Sequence, residues 1–381
     1  MTARWNRLAA SLMGVAALAA ACGSGDETAD RQTASSPPAE ASEAEEPLVA
    51  DTDEASASAS SDVHETEPAL EETTEPIVVT HKFGATEVPR NPQRVLSLGF
   101  SDQDDLLALG IVPVGILDWF GNQPNAVWPW AQPLLGGAEP TVIPAVIEPS
   151  VELIASTEPD LIIAVSQGLT QEQYDLLSEL APTVAQHADY PDYGAPWQER
   201  TRLIGAAFDM ADEAEGLIAG VEERFAEVRT EHPEFEGRSA AVAFAFNDQP
   251  GVYASSDVRA QILESIGFVT PPEYDELAGD AFYVNVSEER VDLFDTDVIV
   301  WIATNDVVMQ GVIDSPIREI MRAPSEGREV FTSTLVSGAF SFASPLSIDF
   351  LLDELVPELA LAIDGNPATE VPSAVAIGAA G

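Results

Sequence analysis

Short apolar runs alternate with helix-like segments along most of this chain, and that alternation restricts its fold more than any other feature. The clearest run, residues 160–165, is apolar at every position after Asp160, which is typical of a strand buried on both faces in a parallel sheet. Three more strands are predicted at 94–98, 112–117 and 182–185, with helices at 102–109, 151–156 and 171–180. This spacing predicts βαβ units and a parallel sheet in an α/β fold.

A second set of strands and helices follows a long helical stretch. That stretch contains predicted helices at 197–210 and 211–230, and beyond it come strands at 239–246, 297–302 and 328–331 and helices at 257–266 and 347–361. The charged helix at 211–230 is predicted to be a spine between two lobes. We therefore expect an N-terminal lobe at 90–210 and a C-terminal lobe at 238–365, both Rossmann-like.

The charge of the chain excludes several classes of function. Sixty-five acidic residues against 16 basic ones give a formal net charge of −49, which rules out nucleic-acid binding through a basic surface and argues against adsorption to anionic lipid. Lys82 is the only lysine and lacks the glycine-rich sequence of a phosphate-binding loop. Cys22 is the only cysteine, so disulfides, cysteine zinc sites and thiol redox pairs within one chain are excluded.

The N-terminus has the features of an export signal. Arg4 and Arg7 precede an apolar run at 8–21, which is too short to span a hydrocarbon core of ~30 Å. The residues around Cys22 resemble a bacterial lipobox, which implies a lipoprotein signal peptide at 1–22 with Cys22 as the lipidated residue. The alternative is an ordinary secretory signal cleaved near Ala21. Lipidation would anchor the exported protein to the outer face of the cytoplasmic membrane.

Residues 23–75 are predicted to be a disordered tether between lipid and folded domain. They contain sixteen acidic residues and one basic residue, Arg31. Such a segment buries too little apolar surface to offset its ordering entropy, and its like charges extend it. The folded part is also acidic, which favours adaptation to salt; a GC-rich genome is the alternative explanation for the scarcity of lysine.

Catalytic and metal-binding signatures are absent from the sequence. The four histidines are His64, His81, His187 and His232, and no two of them share a helix face. There is no HExxH motif, no nucleophile elbow and no dinucleotide-binding glycine motif. We therefore expect no catalytic residue, no protein-bound metal and no cofactor.

Aromatic and polar residues are predicted at the carboxyl ends of the strands, where open parallel sheets bind their ligands. These candidates are Phe100, Ser101, Trp119, Gln167, Tyr190, Tyr253 and Asn305. Two lobes that face each other with such residues would form a ligand-binding cleft. Each aromatic residue taken alone is explained better by core or rim packing than by ligand contact, and only the set points to a site.

Several segments together resemble a known family in their order and spacing. Residues 92–102, 159–162, 181–184, 263–268 and 286–290 are similar to iron–siderophore substrate-binding lipoproteins of bacterial ABC transporters. Residues 128–131, 192–205 and 232–235 are similar to the actinobacterial branch of that family. The resemblance covers nearly all of the predicted folded region, from about residue 89 to residue 361.

The resemblance implies a class III periplasmic-binding-protein fold, with two Rossmann-like lobes joined by a rigid helix and no catalysis. It implies that Glu152 and Glu289 dock into arginine pockets of an ABC permease, because a carboxylate–arginine pair gives orientation as well as attraction. Two ordinary surface acids are the alternative. A monomer is expected, with the membrane contacted only through the lipid anchor.

The resemblance also implies a ferric siderophore as the ligand, with iron held by the siderophore and not by protein side chains. Arg259 stands at a position where relatives place an arginine for anionic siderophores; a salt bridge to Asp257 or Glu264 is the alternative. Other such positions hold Gln167 and Asn305 here, which favours a hydroxamate, mixed or citrate-type ligand. Trp119, Trp197 and Tyr253 could supply apolar and stacking walls, and these three complete the candidate set.

Three rival functions stay open on the sequence. A protein of the same fold could bind cobalamin or haem. A solute sensor would bind without transport. A hydrolase on this fold would need a nucleophile beside His187, the histidine expected nearest to the cleft.

Overall fold

The computed structural model describes residues 75–145, 150–246 and 249–379. The predicted signal peptide, Cys22 and nearly all of the acidic tether lie outside these residues. The described chain opens with an antiparallel hairpin of β1 (Ile77–His81) and β2 (Gly84–Val88), which the sequence analysis did not predict. Val79 and Val88 are buried in the core of the first lobe, so the hairpin is part of that lobe.

The first sheet is entirely parallel and lies in the N-terminal half. Its strands are β3 (Val95–Ser97), β4 (Gly115–Asp118), β5 (Thr141–Pro144), β6 (Leu161–Ala164) and β7 (Thr183–Ala185). Their order across the sheet is β5-β4-β3-β6-β7. The order reverses between β3 and β6, which is where ligands of such sheets bind.

The N-terminal lobe contains four helices, of which the first three lie between its strands and the fourth follows β7. They are α1 (Asp102–Ala108), α2 (Val151–Ser156), α3 (Gln171–Ser178) and α4 (Trp197–Ala207), and short 3₁₀ turns cover Pro124–Ala126 and Gln132–Leu135. The predicted helix at 197–210 ends earlier because Asp209 has a positive φ of 60°, which interrupts the helix before Met210.

A single long helix, α5 (Ala211–Glu231), follows α4 and leads into the second lobe. Its buried residues recur every three or four positions, as one face of a helix requires: Ala214, Ile218, Val221, Phe225 and Val228. At 1.5 Å per residue the helix is about 30 Å long. A 3₁₀ turn at Pro233–Phe235 ends it.

The second sheet is mixed. Its strands are β8 (Ala240–Phe246), β9 (Gln249–Tyr253), β10 (Tyr283–Asn285), β11 (Val298–Trp301) and β12 (Glu329–Phe331). They lie in the order β10-β9-β8-β11-β12. The strands β8, β11 and β12 are parallel, whereas β9 and β10 add to one edge as antiparallel strands.

The C-terminal lobe carries most of the helices. They are α6 (Val258–Ser265), α7 (Pro272–Ala278), α8 (Asp306–Ile313), α9 (Pro316–Ile320), α10 (Ala323–Glu326), α11 (Thr334–Phe342), α12 (Pro345–Ala362) and α13 (Pro372–Ala376), with a 3₁₀ segment at Glu288–Phe294. Among the described residues, every helix is too short or too polar to cross a membrane.

Candidate ligand-binding site at the strand ends

The crevice between β3 and β6 is closed by a buried carboxylate at the start of α1. Asp102 accepts hydrogen bonds from the backbone N–H of Val165 (2.7 Å) and of Ser166 (2.9 Å), and from the Ser166 hydroxyl (2.6 Å). Burial raises the pKa of Asp102 to about 6, while the bond from Ser166 opposes that rise. These bonds join the ends of β3 and β6 into one rigid edge.

Three aromatic rings stack above this edge. The Phe100 ring centroid lies 4.9 Å from that of Trp119 and 5.6 Å from that of Tyr193, with interplanar angles of 13° and 7°. Phe100 is the middle ring, and Tyr193, which is 52% exposed, is the outer one. This aromatic stack (Phe100, Trp119 and Tyr193) presents a flat apolar face at the strand ends.

Gly168 lies against the outer ring of the stack, that of Tyr193. A Cβ atom added at Gly168 would lie 2.7 Å from Cζ of Tyr193, which is closer than real contacts allow. Only glycine therefore lets the Tyr193 ring settle on the loop that follows β6. Tyr193 lies within one of the family-like segments, at 192–205, but was not a predicted site residue, because nothing in the sequence places it beside Phe100.

A buried phenylalanine of the C-terminal lobe packs against the inner end of the aromatic stack. Phe342, at the end of α11, lies 5.9 Å from Trp119 and 5.8 Å from Trp128, measured between ring centroids. Its centroid is also 6.0 Å from that of Trp130. The inner end of the aromatic stack is therefore held between the two lobes by packing.

A buried carboxylate on α1 hydrogen-bonds across the lobes. Asp104 accepts from Nε1 of Trp130 (2.8 Å) and from the hydroxyl of Ser344 at the start of α12 (2.7 Å). Both bonds go to Oδ2, whereas Oδ1 is buried with no partner among the described atoms. Burial raises the pKa of Asp104 to about 7. A protonated carboxyl is the form that such surroundings favour.

A second bridge between the lobes lies one residue further along α1. Asp105 accepts from Nε of Arg200 (2.8 Å) and from the Thr201 hydroxyl (2.5 Å). Arg200 in turn donates through Nη2 to the backbone carbonyl of Ala343 (2.7 Å). Ala343 and Ser344 form the junction of α11 and α12, so both bridges hold the same junction.

The strand ends of the C-terminal lobe carry an arginine that is already paired. Nε and Nη2 of Arg259 each donate to one carboxylate oxygen of Asp257, both at 2.7 Å. The guanidinium carbon lies 3.9 Å from the ring centroid of Tyr253, which is a cation–π contact. Asp257 also caps α6 by accepting from the Arg259 backbone N–H. The ion pair that the sequence left as an alternative is thus present.

Asn305 lies beside a cavity in the C-terminal lobe. Its Oδ1 accepts from the backbone N–H of Val308 and so caps α8, and its side chain is exposed. The cavity has a volume of about 560 Å³ and is lined in part by Ser333, Thr334 and Met309. It lies between α8, β12, α12 and α13, and its lining comes from this lobe alone.

Comparison with known proteins identifies the family. Residues 96–332 match the periplasmic binding protein family. The chain belongs to this family. A relative in Bacillus subtilis, the probable siderophore-binding lipoprotein YfiY, is 29% identical over 231 residues, which is 58% of this chain and 67% of the relative. The Fe(3+)-citrate-binding protein YfmC of the same organism is 28% identical over 60% of this chain and 69% of its own length.

Solved structures agree with this assignment. A periplasmic solute binding protein from Mycobacterium smegmatis superposes with a TM-score of 0.68 and 36% identity, over 76% of this chain and 99% of that protein. PiaA of Streptococcus pneumoniae in complex with ferrichrome gives a TM-score of 0.64 and 26% identity, over 76% and 99%. The predicted class III fold, with two Rossmann-like lobes joined by a helix, is confirmed, and so is the resemblance to siderophore-binding lipoproteins.

Two predicted ligand contacts of this periplasmic binding protein need correction. Trp197 is 2% exposed and packs with Ile218 and Val221 in the core, because its place at the start of α4 puts it against α5. Ser101 is 3% exposed, and its backbone N–H bonds to the Ser166 hydroxyl. Burial removes both side chains from a ligand-accessible surface.

Two further candidates, Gln167 and Tyr190, are close in sequence to Gly168 and Tyr193. Oε1 of Gln167 is buried without a partner among the described atoms, so this amide oxygen has an unused acceptor site. Tyr190 packs edge-on against His187 with ring centroids 5.1 Å apart. Both side chains are half-buried, and their contact with a ligand stays a prediction.

The hydrolase hypothesis requires a nucleophile beside His187. Nδ1 of His187 accepts from the backbone N–H of Asp189, and the ring packs on Tyr190. No serine or threonine hydroxyl in the described ranges is hydrogen-bonded to this ring. Within the same ranges, no three His, Cys, Asp or Glu side chains are grouped so that they could hold a metal ion.

The two acids predicted to dock on a permease are both exposed. Glu152 lies in the first turn of α2, where its carboxylate accepts from the Ser150 hydroxyl (3.2 Å). Glu289 lies in the 3₁₀ segment of the other lobe. One acid on each lobe is therefore available to a partner, and their docking role stays a prediction.

Proposed function

We propose that this periplasmic binding protein captures a ferric siderophore outside the cytoplasmic membrane and delivers it to an ABC importer. The observation that carries the proposal is the aromatic stack at the strand ends, with its exposed outer ring Tyr193, in a chain that belongs to this family. Relatives named for ferric citrate and for siderophores, and a solved neighbour bound to ferrichrome, support the ligand class.

The structure suggests how such a ligand is held. A ferric siderophore wraps its iron in an organic shell, so the protein recognises the shell and needs no metal ligands of its own. Tyr193, the exposed outer ring, would pack against that shell, with the ring edges of Phe100 and Trp119 beside it. Gln167, Tyr190, Tyr253, Arg259 and Asn305 would supply the polar and aromatic contacts around it.

Delivery to the importer would also involve parts of the chain that lie outside the described residues. Lipidation at Cys22 would anchor the protein, and residues 23–75 would span the distance from the membrane to the folded lobes. Glu152 and Glu289 would then pair with arginines of the permease. A monomer is sufficient for this role, since each lobe offers one of the two acids.

Tryptophan fluorescence tests ligand capture. The purified protein is titrated with ferric and iron-free siderophores, and we expect saturable quenching by the ferric form at submicromolar concentration. Trp119→Phe should lose most of the quenching because its ring lies in the stack. Trp301→Phe is the matched control, since Trp301 is buried in the C-terminal lobe beside Phe294. Absence of a response to every ferric complex would refute the proposal.

Cobalamin or haem is a second candidate ligand, because a flat aromatic face also suits a planar macrocycle. The same titration distinguishes the two. Quenching by cobalamin or haem without a response to ferric siderophores would keep the binding site and change the ligand. A protein that binds a ferric siderophore but supports no uptake in cells would instead be a sensor.

A further inference from the structure

The described residues contain almost no uncompensated positive charge. Every Lys and Arg among them lies within 4.0 Å of a carboxylate, except Arg94 and Arg229. Arg94 donates to the backbone carbonyls of Thr157 and Glu158 ahead of β3, at the opposite end of the strand from the aromatic stack. Arg229, near the end of α5, donates to the backbone carbonyl of Ser265 at the end of α6.

Two basic side chains lie near the strand ends, and each has its own acid. Nζ of Lys82 is 2.5 Å from Asp192, the residue before Tyr193. Arg259 is engaged more completely, because Asp257 takes two of its N–H groups while Tyr253 covers one face of the guanidinium. The Arg259 side chain is 13% exposed, and Asp257 is buried. Neither cation can neutralise an incoming anion without leaving its carboxylate.

The same strand ends carry carboxylates without a cationic partner among the described residues. Asp118 ends β4 beside Trp119, and its half-buried carboxylate has no salt bridge there. Asp306, in the first turn of α8 beside Asn305, is exposed. The potential at the candidate site is therefore negative, within a chain whose net charge is −49.

We propose that Asp257 determines which ligands the site accepts: by neutralising Arg259 it makes the site select neutral or cationic ferric complexes and reject anionic ones. This inference rests on the proposed function and narrows it. A negatively charged ferric complex would face carboxylates and an arginine whose charge Asp257 neutralises. A ferric complex with a pendant ammonium group would instead face the carboxylate of Asp118. Rejection of the wrong charge is a common source of specificity.

A ligand series with one iron core tests the inference. Ferrioxamine B has a positively charged pendant amine, its N-acetyl derivative is neutral, and its N-succinyl derivative is negative. Dissociation constants are measured for these three, for ferrichrome and for ferric dicitrate. We expect the anionic complexes to bind at least about tenfold more weakly than the neutral ones, which corresponds to ~1.4 kcal/mol. High salt should narrow the difference by screening.

Asp257→Asn is the decisive variant. Asparagine is as good a helix cap as aspartate, so α6 keeps its start while Arg259 regains its charge. We expect this variant to reduce the discrimination against the anionic complexes about tenfold. The double variant Asp257→Asn with Arg259→Gln should restore it. Asp349→Asn is the matched control, because it removes one acid from an exposed Arg224 pair and should leave the selectivity unchanged.

The outcomes separate the inference from the function on which it rests. Tighter binding of ferric dicitrate or of the succinyl derivative than of the neutral complexes would overturn the inference while the siderophore function stands. Unchanged selectivity in Asp257→Asn would also overturn it. Binding of no ferric complex of any charge would instead refute the proposed function.

Discussion

Gly168 is the residue on which the geometry of the aromatic stack depends most directly. Alanine there would place Cβ 2.7 Å from the Tyr193 ring, so the ring must move. We predict that Gly168→Ala weakens binding of a ferric ligand several-fold with little loss of melting temperature. Gly220→Ala is the control: Gly220 has open space around its Cβ position on α5, and alanine there should stabilise the helix by up to about 1 kcal/mol. If Gly168→Ala binds the ferric ligand as tightly as the wild type, Tyr193 is not part of the binding site.

Asp104 gives a second prediction for a single residue. Its pKa is raised to about 7 in the folded protein because it is buried, whereas an unfolded aspartate titrates near 3.9. The folded protein therefore favours the protonated carboxyl. Its contribution to the free energy of unfolding is fully present below pH 4 and is lost as the pH rises through 7. Asp104→Asn cannot ionise, so the variant does not lose this stability as the pH rises. Across that range its free energy of unfolding should rise by a few kcal/mol relative to that of the wild type. Denaturant titrations at pH 5 and pH 8 measure it; a difference independent of pH would contradict the prediction.

Residue roles were harder to predict than residue types. Phe100, Trp119 and Tyr253 were predicted as site residues because they follow predicted strands, and all three lie at strand ends in the structure. It also selected Trp197, which is in the core. Composition cannot distinguish these cases, because burial of a tryptophan depends on what packs against it from α5. The pairing of Arg259 with Asp257 was foreseen only as an alternative.

Among the elements, most parallel strands were predicted, whereas the parallel edge strand β5 and the antiparallel strands β1, β2, β9 and β10 were missed. Buried parallel strands such as β6 and β11 read as continuous apolar runs, which are visible in the sequence. The hairpin β1–β2 and the antiparallel strands β9 and β10 alternate or are short, and a proline lies within β9. Such strands are defined by their pairing partners, and the sequence alone does not state those partners.

The helix α5 provides the prediction at the scale of elements. Phe225 is fully buried at the centre of its apolar face, whereas Glu223 is exposed on the opposite face. Phe225→Ala should lower the unfolding free energy by about 3–5 kcal/mol, because it removes a large side chain and leaves a cavity. Glu223→Ala should change it by less than about 0.5 kcal/mol. Equal effects in chemical denaturation would mean that α5 is not packed as a spine.

At the scale of the whole molecule, side-chain contacts hold the two lobes together in addition to the helix α5. Arg224 on α5 pairs with Asp349 and Asp353 on α12, and the α1 carboxylates hold the junction of α11 and α12 from the other side. Buried hydrogen bonds and ring packing together oppose a hinge motion. If the protein delivers its ligand to a permease, as we propose, it would offer nearly the same surface before and after it binds a ligand, and recognition would involve fixed features of that surface.

Glu152 and Glu289 are the fixed features that we expect the permease to recognise. Replacing both by glutamine removes two charges from exposed positions on different lobes, so folding and ligand affinity should be unchanged while siderophore-dependent iron uptake falls at least tenfold. The control is a double variant of two other exposed acids, Glu172→Gln on α3 and Glu276→Gln on α7, which makes the same change in net charge. Uptake of labelled ferric siderophore in cells and affinity of the purified variants are measured together. If uptake persists in the Glu152/Glu289 variant, or falls equally in the control, delivery depends on overall charge or on other residues, because a specific arginine–carboxylate contact is lost only when its own acid is removed.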